Sequence, residues 1–176
     1  TEHALRRILL GHKQRGFGAG FYNSFGGKLE DGEELNESAA RELQEETGIA
    51  ASPDEFMHVG ILHFWFADSD TAMIVHVFYM DITTTTSTTS ASRYVNPSTI
   101  RPCDEIIPQW FDDYSDIPLH NMFADDSIWL TRLLSLLPFH NNNDRVWMEG
   151  YFYLQAGGQD VNTVLHHYIS FSPPPP

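Results

Sequence analysis

Residues 27–49 read GKLEDGEELNESAARELQEETGI. On an α-helix each residue advances by roughly 100°, so Glu42, Glu45 and Glu46, at i, i+3 and i+4, share one face. Three carboxylates crowded together repel one another unless something positive sits among them. A hard divalent cation with oxygen ligands is the natural occupant, Mg²⁺ above all, with Mn²⁺ as a substitute. Arg41 lies beside the cluster, placed to orient one carboxylate through a bidentate pair. Gly48 is expected as the helix C-cap, where the left-handed turn costs glycine little. Gly26 and Gly27 let backbone groups approach a metal and phosphates closely. A bare run of glutamates is more often a solvated acidic helix face. Here the flanking glycines and Arg41 favour a site.

Composition narrows the classes of function. The chain has 176 residues, 41% of them hydrophobic, enough for one domain with a sizeable core. Lys and Arg total 10 against 24 Asp and Glu, a formal charge of −14, which argues against a long nucleic acid bound through a basic patch. A nucleotide remains compatible, because a metal ion bridges acidic protein and anionic phosphates. Charge therefore leaves a small-molecule nucleotide partner open, and a monomer is expected. The lone Cys103 excludes an internal disulfide framework and fits a reducing compartment such as the cytoplasm, with mitochondrial or nuclear pools as alternatives. No apolar run approaches the ~18 residues of a membrane span, and no signal peptide is visible.

Along the chain, Arg6–Leu10 reads as a short strand leading into the glycine-rich loop GHKQRGFGAGFYNSFGG. The helix of the acidic stretch is expected over Glu34–Thr47. Phe56–Phe66 and Thr71–Ile82, rich in Val, Ile, Phe and Trp, read as paired strands around ADSD. The Thr/Ser run after Ile82 reads as a surface insertion continuing to Cys103. Glu105–Phe111 looks like another strand. Asp125–Leu137 carries Ile128, Leu130, Leu133, Leu134 and Leu137 on a helical period. Val146–Leu154 and Val161–Ile169 read as a last strand pair, with a second insertion over 140–149. The expected fold class is α/β, a mixed β-sheet flanked by helices, in one domain over 1–170 with a proline-rich tail at 171–176.

The acidic stretch resembles the signature box of the Nudix hydrolases: Gly27, five residues, Glu33, seven residues, Arg41-Glu42, an apolar residue, one residue, Glu45-Glu46, one residue, Gly48, an apolar residue. Seven of these positions each demand one residue type, so a chance match is on the order of one in a billion per start site. The resemblance implies the Nudix fold, an α/β/α sandwich, and hydrolysis of a nucleoside diphosphate derivative.

Beyond the box, LLGHKQRGFGAGFYNSFGGK, VHVFYMD, FADDSIW and GYFYLQAGGQD resemble the branch of the family that hydrolyses oxidised purine nucleoside triphosphates. That branch removes 8-oxo-dGTP and 2-hydroxy-dATP from the nucleotide pool, releasing the monophosphate and pyrophosphate. The resemblance places metal ligands at the Gly26 carbonyl and at Glu42, Glu45 and Glu46. A further ligand falls at Glu105 in DEIIPQWF, or at Thr99 under an alignment through IRPC; Thr99 would be a poor Mg²⁺ ligand. Catalytic roles fall on Glu42 as general base, Glu45 and Arg41. Nucleotide contacts fall on Lys13, Phe17, Asn23, Phe25, Gly26, Gly27 and Lys28, and on Phe123, Ala124, Asp125, Asp126 and Trp129. The branch's first strand, which gives a threonine to the base pocket, has no expected counterpart here, and Phe123 stands where the branch has tryptophan. ADP-ribose, dinucleoside polyphosphates and a non-catalytic nucleotide sensor are the alternative readings. The histidines show no metal-ligand spacing.

Asp125 and Asp126 carry two readings. Aspartates before a helix commonly cap it. Two adjacent carboxyls in a dry pocket instead share a proton, and so present an acceptor and a donor to a purine edge.

Overall fold

The computed structural model describes residues 7–67, 69–82, 96–137, 146–155 and 163–175. The strands divide between two sheets, and the chain between two compact units, residues 1–57 with 79–121 and residues 58–78 with 122–176. The α/β class expected from the sequence holds.

The first unit is built on an antiparallel sheet of order β2-β1-β5, with β1 at Ile8–Lys13, β2 at Tyr22–Asn23 and β5 at Ile106–Phe111. β1 sits two residues later than the sequence suggests, because its ladder runs from Ile8↔Phe111 to Lys13↔Ile106. Pro108 lies opposite Gly11 on the edge strand β5, where a missing N–H is tolerated. The first helix, α1, spans Leu35–Thr47. Glu37 accepts from the Glu34 backbone N–H at 2.9 Å, which satisfies a donor at the helix start. Gly48 ends the helix as expected: its φ is 75° and its N–H donates to the Gln44 carbonyl at 2.9 Å. Leu43 and Ile49 are buried, and Leu9, Phe25, Phe56 and Ile100 pack around them.

The expected insertion before Cys103 is partly described. Pro97–Thr99 form a 3₁₀ turn, and Arg101 N–H donates to the Thr47 carbonyl at 2.8 Å, tying this stretch to the end of α1. Residues 83–95 lie outside the described residues, as do the chain's first six.

The second unit holds a mixed sheet of order β4-β3-β6-β7: β3 at Met57–Phe66, β4 at Ala72–Tyr79, β6 at Trp147–Leu154 and β7 at Val164–Ser172. β3 and β6 are parallel, from Gly60↔Met148 to Phe66↔Leu154, and β6 and β7 antiparallel. Alternate residues Leu62, Phe64, Met148, Phe152 and Leu154 are buried, and the intervening Trp65 and Tyr153 are exposed, as period-two strands require. Two expectations are corrected here. Residues 147–149, assigned to the second insertion, pair with β7 through Trp147↔Ser172 and Glu149↔Ser170. The same ladder carries β7 to Ser172, past the expected domain end at 170, so the tail starts later. Residues 140–145 of that insertion lie outside the described residues. The second helix, α2, spans Asp126–Leu136 and buries Trp129, Leu130, Leu133 and Leu134. No helix among the described residues is long and apolar enough to cross a membrane.

Candidate active site

The expected site residues gather in two clusters, one in each unit. In the first unit, α1 projects Arg41, Glu42, Glu45 and Glu46 beside the Gly26-Gly27 turn. Arg41 does make a bidentate pair, and its partner is Glu33: Nε donates to Oε1 at 2.9 Å and Nη2 to Oε2 at 3.0 Å. Its Nη1 donates to Glu42 Oε1 at 2.8 Å and reaches Glu45 Oε2 at 3.5 Å. The Arg41 hydrogen bond, above all, holds the Glu33 carboxyl down at about 2. Arg41 is itself held more strongly protonated than usual, by Glu33 first and then Glu42.

Gly27 is a close approach. A Cβ there would collide with the Glu42 carboxylate, so only glycine leaves that carboxylate its place. Gly26 N–H donates to Glu46 Oε2 at 2.9 Å. Glu46 is 6% exposed, and its carboxyl is pushed up to about 7. Burial is the main cause; the Gly26 bond and Lys13 oppose it, and the charges of Glu42 and Glu105 reinforce it. Lys13, at the end of β1, donates to Glu105 Oε1 at 2.6 Å and lies 4.0 Å from Glu46 Oε1. The Lys13 hydrogen bond keeps the Glu105 carboxyl below its ordinary value.

Glu105 therefore joins the cluster through Lys13. Thr99 does not: its hydroxyl donates to the Asn96 carbonyl at 2.8 Å, and its own carbonyl faces Gly48 at the far end of α1. Of the other expected nucleotide contacts in this unit, Phe17 is 60% exposed, and Asn23 Oδ1 accepts from Ser24 N–H at 2.9 Å. Phe25 packs into the Leu43–Ile49 core, and the Lys28 carbonyl accepts from Arg41 at 3.2 Å.

By type the donors suit a hard cation: Glu42, Glu46 and Glu105 are carboxyl oxygen donors, and the charges of Glu42 and Glu105 both bear on the buried Glu46 carboxyl. Arg41 and Lys13 now provide the positive charge among them. Among the described residues no group of three or more His, Cys, Asp and Glu side chains is already arranged around a metal position.

In the second unit, Phe123-Ala124-Asp125-Asp126 leads into α2. Neither aspartate caps the helix in the ordinary way. Asp126 Oδ2 accepts from the Phe123 N–H behind it at 3.1 Å, and Asp125 Oδ2 accepts from the Trp129 indole N–H at 3.0 Å. The Ala124 carbonyl accepts from Ser127 Oγ at 2.7 Å. Asp125 and Asp126 are 7% and 5% exposed. Burial first, and then the Asp125 charge, push the Asp126 carboxyl up to about 8. Burial also raises Asp125, with Trp129 opposing.

A family model described as the NUDIX domain matches residues 2–111. The chain belongs to the Nudix family. A mouse (Mus musculus) Nudix relative named oxidized purine nucleoside triphosphate hydrolase is 40% identical over 134 residues, 76% of this chain and 76% of that protein. Its zebrafish (Danio rerio) namesake is 37% identical over 163 residues, 93% of this chain and 86% of the relative. In fold, the chain is similar to the crystal structure of a MutT protein from Bacillus halodurans, with a TM-score of 0.58 at 20% identity, over 93% of this chain and 90% of that one. The chain is thus a Nudix pyrophosphohydrolase, of a family that acts on small nucleotides.

Two features of the site are not legible in the sequence. Glu33 reads there only as a box position, although its spacing from Arg41 lies within the motif. Lys13 reads as a phosphate contact, whereas it also links Glu105 to Glu46; no local signal reports a pairing between residues this distant in sequence.

Proposed function

We propose that this Nudix enzyme hydrolyses oxidised purine nucleoside triphosphates, 8-oxo-dGTP and 2-hydroxy-dATP, to the monophosphate and pyrophosphate, and so cleans the nucleotide pool. The observation that carries the reading is the buried, adjacent Asp125–Asp126 pair, whose carboxyls face local donors instead of capping α2. The names of the mouse and zebrafish relatives support it.

Mg²⁺, or Mn²⁺ in its place, would be held by the Gly26 carbonyl and by Glu42, Glu45, Glu46 and Glu105. When bound, the ion polarises phosphoryl oxygens and neutralises their charge. Arg41 orients Glu42 and Glu45, and its pair with Glu33 fixes the guanidinium. Glu42 accepts the proton of the attacking water at a carboxylate oxygen. Lys13 and Lys28 offer ammonium groups to the phosphates, and the Gly26-Gly27 turn keeps the approach open. The resemblance assigns nucleotide contacts to Phe17, Asn23 and Phe25 in the first unit and to Phe123 and Ala124 in the second. Asp125 and Asp126 read the purine edge: an ionised carboxylate only accepts, while a protonated one also donates. The enzyme works as a monomer on free nucleotides, in the cytoplasm.

The test is pyrophosphate release with Mg²⁺ from 8-oxo-dGTP, 2-hydroxy-dATP, dGTP, dATP and ADP-ribose, beside Glu45→Gln. Preference for the oxidised purines is expected, with turnover abolished by the substitution. Comparable turnover of ADP-ribose or of ordinary nucleotides would overturn the substrate assignment.

A further inference from the structure

We propose that His58 and His76 form a bidentate site for a borderline divalent ion of the Zn²⁺ or Cu²⁺ class, which clips β3 to β4. The site belongs to the second unit, is separate from the carboxylate cluster and takes a different class of ion.

His58 Nε2 and His76 Nδ1 face each other at 3.1 Å, across two strands that are neighbours in the sheet. Two ligand nitrogens at ~2.0–2.1 Å from one ion, with an angle of about 90–110° between them, lie roughly 2.8–3.4 Å apart. The observed spacing falls within that bite. The His58 ring is fixed by its neighbours: Phe78 stacks on it at 4.7 Å, and Trp147 meets it edge-on at 4.9 Å. A hydrogen bond with the Gly60 backbone favours the protonated ring, so the Gly60 carbonyl is the acceptor. Nε2 is engaged with His76, which leaves Nδ1–H as the donor to Gly60. Metal-ligating imidazoles are oriented in this way, by an acceptor on the nitrogen that does not hold the ion.

With His58 in that tautomer, the hydrogen between the rings is carried by His76 Nδ1. An ion takes its place when that proton moves to His76 Nε2, a tautomer shift that leaves both rings neutral. Burial first, and then a neighbouring imidazole, disfavour the charged form of each ring; the neighbour is His76 for His58 and His63 for His76. Neutral imidazole is the form that ligates. It suits Zn²⁺, Cu²⁺ and Ni²⁺, whereas Mg²⁺ prefers oxygen, so the two sites sort ions by hardness. The pair is only part-buried, which leaves room for water on the remaining positions. Among the described residues no group of three or more His, Cys, Asp and Glu is arranged around a metal, so the protein supplies two ligands here. The two histidines stand 18 residues apart, and no local spacing in the sequence reveals them.

The test is calorimetric titration of Zn²⁺ into the whole chain with Mg²⁺ in excess, beside His58→Gln, His76→Gln and the exposed control His120→Gln. Either substitution in the pair should weaken Zn²⁺ binding by roughly tenfold or more, and the double variant should lose little further. His120→Gln should bind as the wild type does. Saturating Zn²⁺ should raise the melting temperature of the wild type by several degrees and leave that of His76→Gln nearly unmoved. Equal affinity in the wild type and both variants of the pair would overturn the proposal. Copper EPR of the wild type gives a second test that needs no variant. Hyperfine splitting from two imidazole nitrogens is expected; a spectrum of oxygen ligands alone would refute the site.

Discussion

Arg41 and Glu33 close a two-point pair at 2.9 and 3.0 Å, and the same guanidinium reaches Glu42 at 2.8 Å. The arginine is thereby fixed from outside the acidic face and aims one N–H into it. Lysine cannot reproduce this, because it offers a point charge where the fork makes three directed bonds. Arg41→Lys should lower kcat by roughly tenfold or more while KM changes little, the signature of a misplaced carboxylate. Steady-state kinetics checks it; a loss confined to KM would assign Arg41 to binding instead.

Gly27 should tolerate no side chain. A Cβ would strike the Glu42 carboxylate, the far end of a flexible chain, so the fold can give way but the site cannot. Gly27→Ala is expected to cut kcat/KM on the order of a hundredfold, with the melting temperature nearly unchanged. Unaltered activity would show that Glu42 need not occupy this position.

Gly48→Ala is the converse. Its Cβ would meet only ordinary contacts, at 3.6 Å from the Thr99 carbonyl oxygen, so the cost is backbone strain at φ 75°. Stability should fall by about 1 kcal/mol, a drop of roughly 2–4 °C in Tm, with kcat preserved. Thermal unfolding measures it.

Asp126 makes stability depend on pH. Its carboxyl is pushed from 3.8 up to about 8, so the folded state holds a proton that the unfolded chain has released. The resulting stability is fully present below the unfolded value and is lost as pH rises toward about 8, with a slope of at most about 1.4 kcal/mol per pH unit. Asp126→Asn removes the titration while still accepting from Phe123 N–H. Its stability advantage over the wild type should grow from about pH 5 to about pH 8 in denaturant titrations. A constant difference would contradict the raised carboxyl.

What the sequence made legible is local. Glu42, Glu45 and Glu46 were placed on one face by helical spacing alone, and Gly48 was recognisable as a C-cap because few other residues adopt its conformation. Strand pairs β3–β4 and β6–β7 are readable from their apolar runs. The parallel pairing of β3 with β6 was not, since the register of Gly60 with Met148 depends on burial shared by distant segments. β2, two residues long, is too short to show any period. At the site, the carboxyls of Asp125 and Asp126 could be named, but not where they point. Capping was the commoner use for such aspartates, and burial with the Trp129 and Phe123 bonds overrides it.

The most direct measurement is a competition. Equal concentrations of 8-oxo-dGTP and dGTP are mixed in one reaction with Mg²⁺, and the two monophosphate products are separated and counted. A site built around hydrogen bonds to an oxidised purine should favour 8-oxo-dGTP by at least about tenfold in kcat/KM. Equal consumption of the two nucleotides would contradict base recognition by Asp125 and Asp126.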